Sequence, residues 1–79
     1  MTDGPARRAF RVAVQRRTTP AGAVFLDVQL VARGTGRMVW AWTFTDAELA
    51  DDLERELEHD LDVLDERAFR RRHRVTSDR

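Results

Sequence analysis

Between residues 8 and 44 apolar positions recur with a period of two. Phe10, Val12 and Val14 alternate with Arg11, Ala13 and Gln15, which predicts a half-buried strand over 8–16. Residues 23–32 repeat the pattern, with Val24, Leu26, Val28 and Leu30 on one face and Phe25, Asp27, Gln29 and Val31 on the other. A third strand over 37–44 sets Met38, Trp40, Trp42 and Phe44 against Val39, Ala41 and Thr43. Arg17-Thr18-Thr19-Pro20-Ala21-Gly22 and Gly34-Thr35-Gly36 carry turn chemistry between them.

The faces also predict register. Pairing Arg33 with Arg37 around a three-residue loop sets Leu30 opposite Trp40, Val28 opposite Trp42 and Leu26 opposite Phe44. A slip of one residue would turn the strand over and mix the faces. The first hairpin is expected to pair Val14 with Val24, Val12 with Leu26 and Phe10 with Val28. Strand 2 then lies at the centre of a meander.

At Thr45 the period changes to that of a helix. Thr45 as N-cap and Glu48 three residues on form a capping box, with a staple between Phe44 and Leu49. Leu49, Leu53, Leu57, Leu61, Leu64 and Ala68 continue the apolar stripe, and no glycine or proline interrupts it. One helix is therefore expected from Asp46 to about Ala68, fraying through Arg72. The predicted fold class is α+β: a three-stranded antiparallel meander, order 1-2-3, with one long C-terminal helix packed on one face. Residues 1–7 are expected to be disordered, 8–72 to form the single domain, and 73–79 to be a disordered basic tail.

Size sharpens this picture. At 79 residues the chain is near the lower limit for folding alone. It has no cysteine, which excludes disulfides and a cysteine-based zinc site, and two histidines are too few for a histidine-rich one. Self-association is the remaining support. An eight-residue strand spans about 26 Å and a 23-residue helix about 34 Å, so the helix end is expected to overhang the sheet. Leu57, Leu61, Leu64, Ala68 and Phe69, together with Phe25 and Val31 on the outer sheet face, are the expected protein interface.

Net charge is zero, but charge is segregated. Residues 1–44 hold seven arginines and two aspartates (+5), residues 45–66 eleven acids and one arginine (−10), and residues 67–79 six arginines and one aspartate (+5). All basic residues except the histidines are arginine, which reads as the coding bias of a GC-rich bacterial genome. The alternative is selection for bidentate donors toward phosphate or carboxylate.

Candidate chemistry is sparse. No nucleophile–base–orienter set can be assembled, so no enzyme and no cofactor is expected. His59 could relay protons or bind metal weakly with Asp62 or Asp52, but among acids it reads as solvated. The helical acids lack the spacing of a calcium loop. On the outer sheet face Arg11, expected beside Asp27, joins Arg17, Arg33 and Arg37. With Arg70, Arg71 and Arg72 these are the candidate nucleic-acid contacts. Met1-Thr2-Asp3-Gly4-Pro5 has no apolar signal core, and no apolar run is long enough to span a membrane, so a cytoplasmic location is expected. The expected function is a non-catalytic, homodimeric protein-interaction module, accessory or regulatory. The alternative is a small nucleic-acid-binding protein.

Overall fold

The structure, a computed structural model, describes residues 4–75. Strands β1 (Phe10–Thr18), β2 (Val24–Ala32) and β3 (Met38–Phe44) form an antiparallel sheet in the order β1-β2-β3. Two helices follow, α1 (Ala47–Val63) and α2 (Glu66–His73), and a 3₁₀ turn at Ala6–Arg8 precedes the sheet. The class is α+β, as the alternating pattern predicts.

The second hairpin has the expected deep register: Leu30 faces Trp40, Val28 faces Trp42 and Leu26 faces Phe44. Its loop differs. Arg33 does not pair with Arg37; instead Ala32 N–H donates to the Arg37 carbonyl and Gly36 N–H to the Ala32 carbonyl, each at 2.8 Å. That loop is one residue longer than expected and would invert the strand. A bulge between Leu30 and Val31 absorbs the difference, because Val31 pairs with Met38 and Val39 is left over. Val39 therefore packs against the core and Met38 is 56% exposed, the reverse of the expected faces.

The first hairpin is displaced by four residues. Phe10 faces Ala32, Val12 faces Leu30 and Val14 faces Val28. An even displacement keeps every side chain on its predicted face. The cause is the turn, which starts at Thr19 and not at Arg17. Thr19 N–H donates to the Ala23 carbonyl at 2.9 Å, Ala23 N–H to Thr19 Oγ1 at 3.1 Å, and Gly22 supplies φ +89°.

The single long helix is replaced by two. Leu64 (ψ 147°) and Asp65 (ψ 172°) are extended, and the Asp65 carboxylate caps α2 by accepting from Ala68 N–H at 2.8 Å. The break is held from outside: Ala6 N–H donates to the Leu64 carbonyl at 2.8 Å, and Pro5 bridges Asp65. The N-cap of α1 is Asp46, not Thr45. Its carboxylate accepts from Glu48 N–H at 2.8 Å, a charge-assisted contact at the positive end of the helix. Leu49 is 54% exposed, so the predicted staple leaves it largely in solvent.

The core lies toward the start of β1. Phe10 and Phe69 stack at 5.6 Å between ring centres, and Val28, Leu30, Leu57, Leu61 and Ala6 have no accessible surface. The segment before β1, expected to be disordered, thus contributes a buried side chain at Ala6, while residues 1–3 lie outside the described region. At the other terminus His73 ends α2 and Val75 is buried; residues 76–79 of the expected tail lie outside the described region.

Candidate interaction surfaces

The residues expected to form the interface do not make one surface. Leu57, Leu61 and Phe69 are fully buried within the chain, and Val31 is 5% exposed. Leu64 and Ala68 are half-buried, and Leu64 packs on the core. Phe25 lies half-buried under the Arg17 guanidinium, 5.4 Å from the ring centre. An overhang requires one straight helix. The break at Leu64–Asp65 folds α2 back, and the chain before β1 covers what the sheet does not.

The expected arginine array is likewise divided. Arg11 lies opposite Val31, not beside Asp27, because of the four-residue displacement. Arg17 takes that place, with Nε donating to Asp27 Oδ2 at 2.6 Å and Nη2 to Oδ1 at 3.1 Å. Thr43 Oγ1 donates to Asp27 Oδ1 at 2.8 Å, so a single carboxylate ties all three strands together. Arg17 and then Thr43 hold the Asp27 carboxyl below its ordinary pKa. Arg33 Nε donates to the backbone carbonyls of Arg7 (2.7 Å) and Phe10 (3.2 Å). Arg11 and Arg37 are exposed.

A second polar lock joins the helices. His73 Nε2 meets Asp60 Oδ2 at 2.7 Å, and Arg72 Nε donates to the same oxygen at 3.0 Å; Asp60 is 4% exposed. The His73 ring also packs 4.6 Å from Phe69. His59, the histidine among the helical acids, is exposed. Its suggested partners are engaged elsewhere, Asp62 with Arg7 and Asp52 with Arg55. Arg7 holds the Asp62 carboxyl below its ordinary pKa. The Asp60–His73 pair spans the helix break, so no helical spacing announced it. Among the described residues every buried side-chain polar atom has a partner, and no group of three or more acids or histidines is placed to hold a metal ion.

Two exposed apolar features bear on association. One is the pair Val14, midway along β1 opposite Val28 and 42% exposed, and Leu49 in the first turn of α1, 54% exposed; Leu26, Trp42 and Phe44 are half-buried. The other is the free edge of β3, whose side chains are Met38-Val39-Trp40-Ala41-Trp42-Thr43-Phe44. Trp40 and Trp42 face the helix side, 5.5 Å apart, and are half-buried against the core. The sequence signal for this edge is a 1-2-3 meander that leaves strand 3 outermost and a strand without charge beyond Arg37 at its start. No helix among the described residues is long and apolar enough to cross a membrane. Neither a protein-family model, nor a curated protein, nor a solved structure matches the chain.

Proposed function

We propose that this chain is a non-catalytic protein-interaction module, a homodimeric accessory or regulatory protein whose two copies join through the free edge of β3. One observation carries the reading: the two edges of the sheet are protected differently. The β1 edge displays Arg11, Arg16 and Arg17, and arginines opposed across a symmetric pairing repel. The β3 edge has no charged residue and no proline, the devices that keep an open strand from pairing.

Symmetry narrows the pairing. A two-fold axis that pairs one strand antiparallel with its copy stands perpendicular to the sheet, so both helical layers lie on the same side. The bulge at Val39 leaves Trp40–Phe44 as the regular part of β3. Centring that part on itself sets Trp42 against Trp42 of the second copy. Trp40 then meets Phe44 of the second copy, and Ala41 meets its Thr43. Aromatic cross-strand pairs on one face and small residues on the other favour this register.

Sedimentation across a wide concentration range tests the reading. The wild-type chain is expected to dimerise at micromolar concentration, and Ala41→Lys to be monomeric with an unchanged circular dichroism spectrum. A folded chain that stays monomeric at high micromolar concentration refutes the homodimer. An Ala41→Lys dimer as tight as wild type refutes the β3 edge alone. For the register, mixed Ala41→Cys and Thr43→Cys chains should cross-link with each other in preference to either chain with itself.

A further inference from the structure

The arginines of α2 fall into two groups. Arg70 donates to Glu66 at 2.9 Å and lies 4.8 Å over the Phe10 ring. Arg72 reaches Asp60 at 3.0 Å and Glu56 at 3.5 Å. Arg67 and Arg71, by contrast, have no acidic partner among the described residues and are exposed. They stand four apart on one helical face, where like charges repel. Arg71 lies in the last turn, where a cation complements the helix carbonyls. Arg67 lacks that complement, because it stands in the first turn beside the positive end of the helix. Arg67 is thus set against the dipole, next to a like charge and without an ion-pair partner among the described residues. Violations of local preference of this kind are what functional sites carry.

Arg67 and Arg71 also share a concavity. With Arg70, Glu66 and Val75 they line an open cleft of about 570 Å³, within the range of small-ligand sites. Among the described residues the one carboxylate lining it, Glu66, is already engaged by Arg70. Arg74, in the left-handed conformation (φ 54°), turns the chain back so that Val75 N–H donates to the Arg70 carbonyl at 2.9 Å. This fixes the apolar Val75 at the cleft wall. The cleft therefore presents the two guanidinium groups of Arg67 and Arg71, the Arg70–Glu66 ion pair and an apolar side chain.

We propose that this cleft binds the terminal phosphate of a phosphomonoester, with Arg67 and Arg71 as its donors. Guanidinium forks match phosphate oxygens two at a time. Two forks can serve the three terminal oxygens of a monoester, whereas a diester in a nucleic-acid backbone offers only two. The Arg70–Glu66 pair walls the site and keeps Glu66 from competing for Arg67 and Arg71. This site is independent of the β3 edge and would act in monomer or dimer.

The test uses the full chain and inorganic phosphate as probe, followed by proton–nitrogen NMR of the arginine Nε–H and backbone amide resonances. Saturable shifts confined to residues 66–75 are expected, and none with chloride at matched ionic strength. Arg67→Gln or Arg71→Gln should weaken binding by roughly tenfold or more, as loss of a charge-assisted pair does. Arg67→Lys should not restore it, because lysine lacks the planar fork. Arg67→Gln should leave the melting temperature equal to or above wild type without ligand, since Arg67 opposes the helix it sits in. Linear shifts, equal shifts with chloride, or undiminished binding in Arg67→Gln would each overturn the proposal. So would binding of a single-stranded oligonucleotide without terminal phosphates through these residues while inorganic phosphate fails, which would mark a backbone surface in place of a monoester site.

Discussion

The two ends of the sheet are built from the same alternating strands, yet one is closed and the other open. Where β1 begins, four segments converge on the sheet: the 3₁₀ turn with Ala6, the second half of α1 with Leu57 and Leu61, α2 with Phe69, and the returning chain with Val75. Away from that end coverage thins: Val14, midway along β1, is 42% exposed, and Leu49, in the first turn of α1, 54%. The difference shows that alternation determines which face is apolar but not how well it is covered. In a domain this small, coverage comes from the segments flanking the strands.

Truncations at the two ends should separate most. Phe69→Ala removes the ring stacked on Phe10 and is expected to destabilise by about 3–5 kcal/mol, with Leu61→Ala at about 2–5 kcal/mol. Urea unfolding of each variant measures this. Losses below about 1 kcal/mol would mean that the closed end is not the stable core.

A smaller effect is expected from the device that closes that end. Asp65→Ala leaves the start of α2 uncapped and should cost about 0.5–2 kcal/mol, with Asp65→Asn much milder. Thr45→Ala, one residue before the actual cap of α1, should change stability by less than about 0.5 kcal/mol. If Thr45→Ala were the more damaging of the two, α1 would start earlier than Ala47.

The outer face of the sheet gives a pH-dependent contrast. The Asp27 carboxyl titrates below its ordinary value because Arg17 and then Thr43 bond its charged form. Its contribution is therefore complete above the unfolded pKa of about 3.9 and is lost as pH falls through the lower folded value. Asp27→Asn should flatten the acid limb of stability against pH below about 4, whereas at neutral pH it lowers stability uniformly. An acid limb as steep as wild type would remove the three-strand lock from the account.

The smallest effect is expected at the open end, where Leu49→Ala should change monomer stability by no more than about 0.5 kcal/mol. A loss comparable with Leu61→Ala would show that Leu49 is covered in solution, by a second copy or by another protein. Repeating the measurement across protein concentration separates these two outcomes, because only the first depends on it.

What most strand side chains face was legible along the chain, with Met38 and Val39 exchanged by the bulge. Period-two alternation assigned Phe10, Val12, Val28, Leu30, Trp40 and Trp42 to the helix side, and the second hairpin's register follows from matching those faces. The register of the first hairpin was not, because displacements by an even number of residues preserve the faces and only the hydrogen bonds of Thr19 and Gly22 choose among them. Of the candidate surfaces, the uncharged β3 edge was legible, and the Arg67–Arg71 cleft was not, since it exists only once α2 is a separate helix.

The sequence by itself thus determined the α+β class, the strand order and the charge of each segment, all of which depend on residues near one another in the chain. Tertiary structure alone decided that the long helix breaks at Leu64–Asp65. No glycine or proline marks the spot. An aspartate can cap a helix or ride within one, and the choice fell when Ala6 N–H, far away in sequence, found the Leu64 carbonyl. With that contact Leu57, Leu61 and Phe69 passed from an expected interface into the core, because a chain folded back on itself buries apolar surface that a straight helix would leave in water.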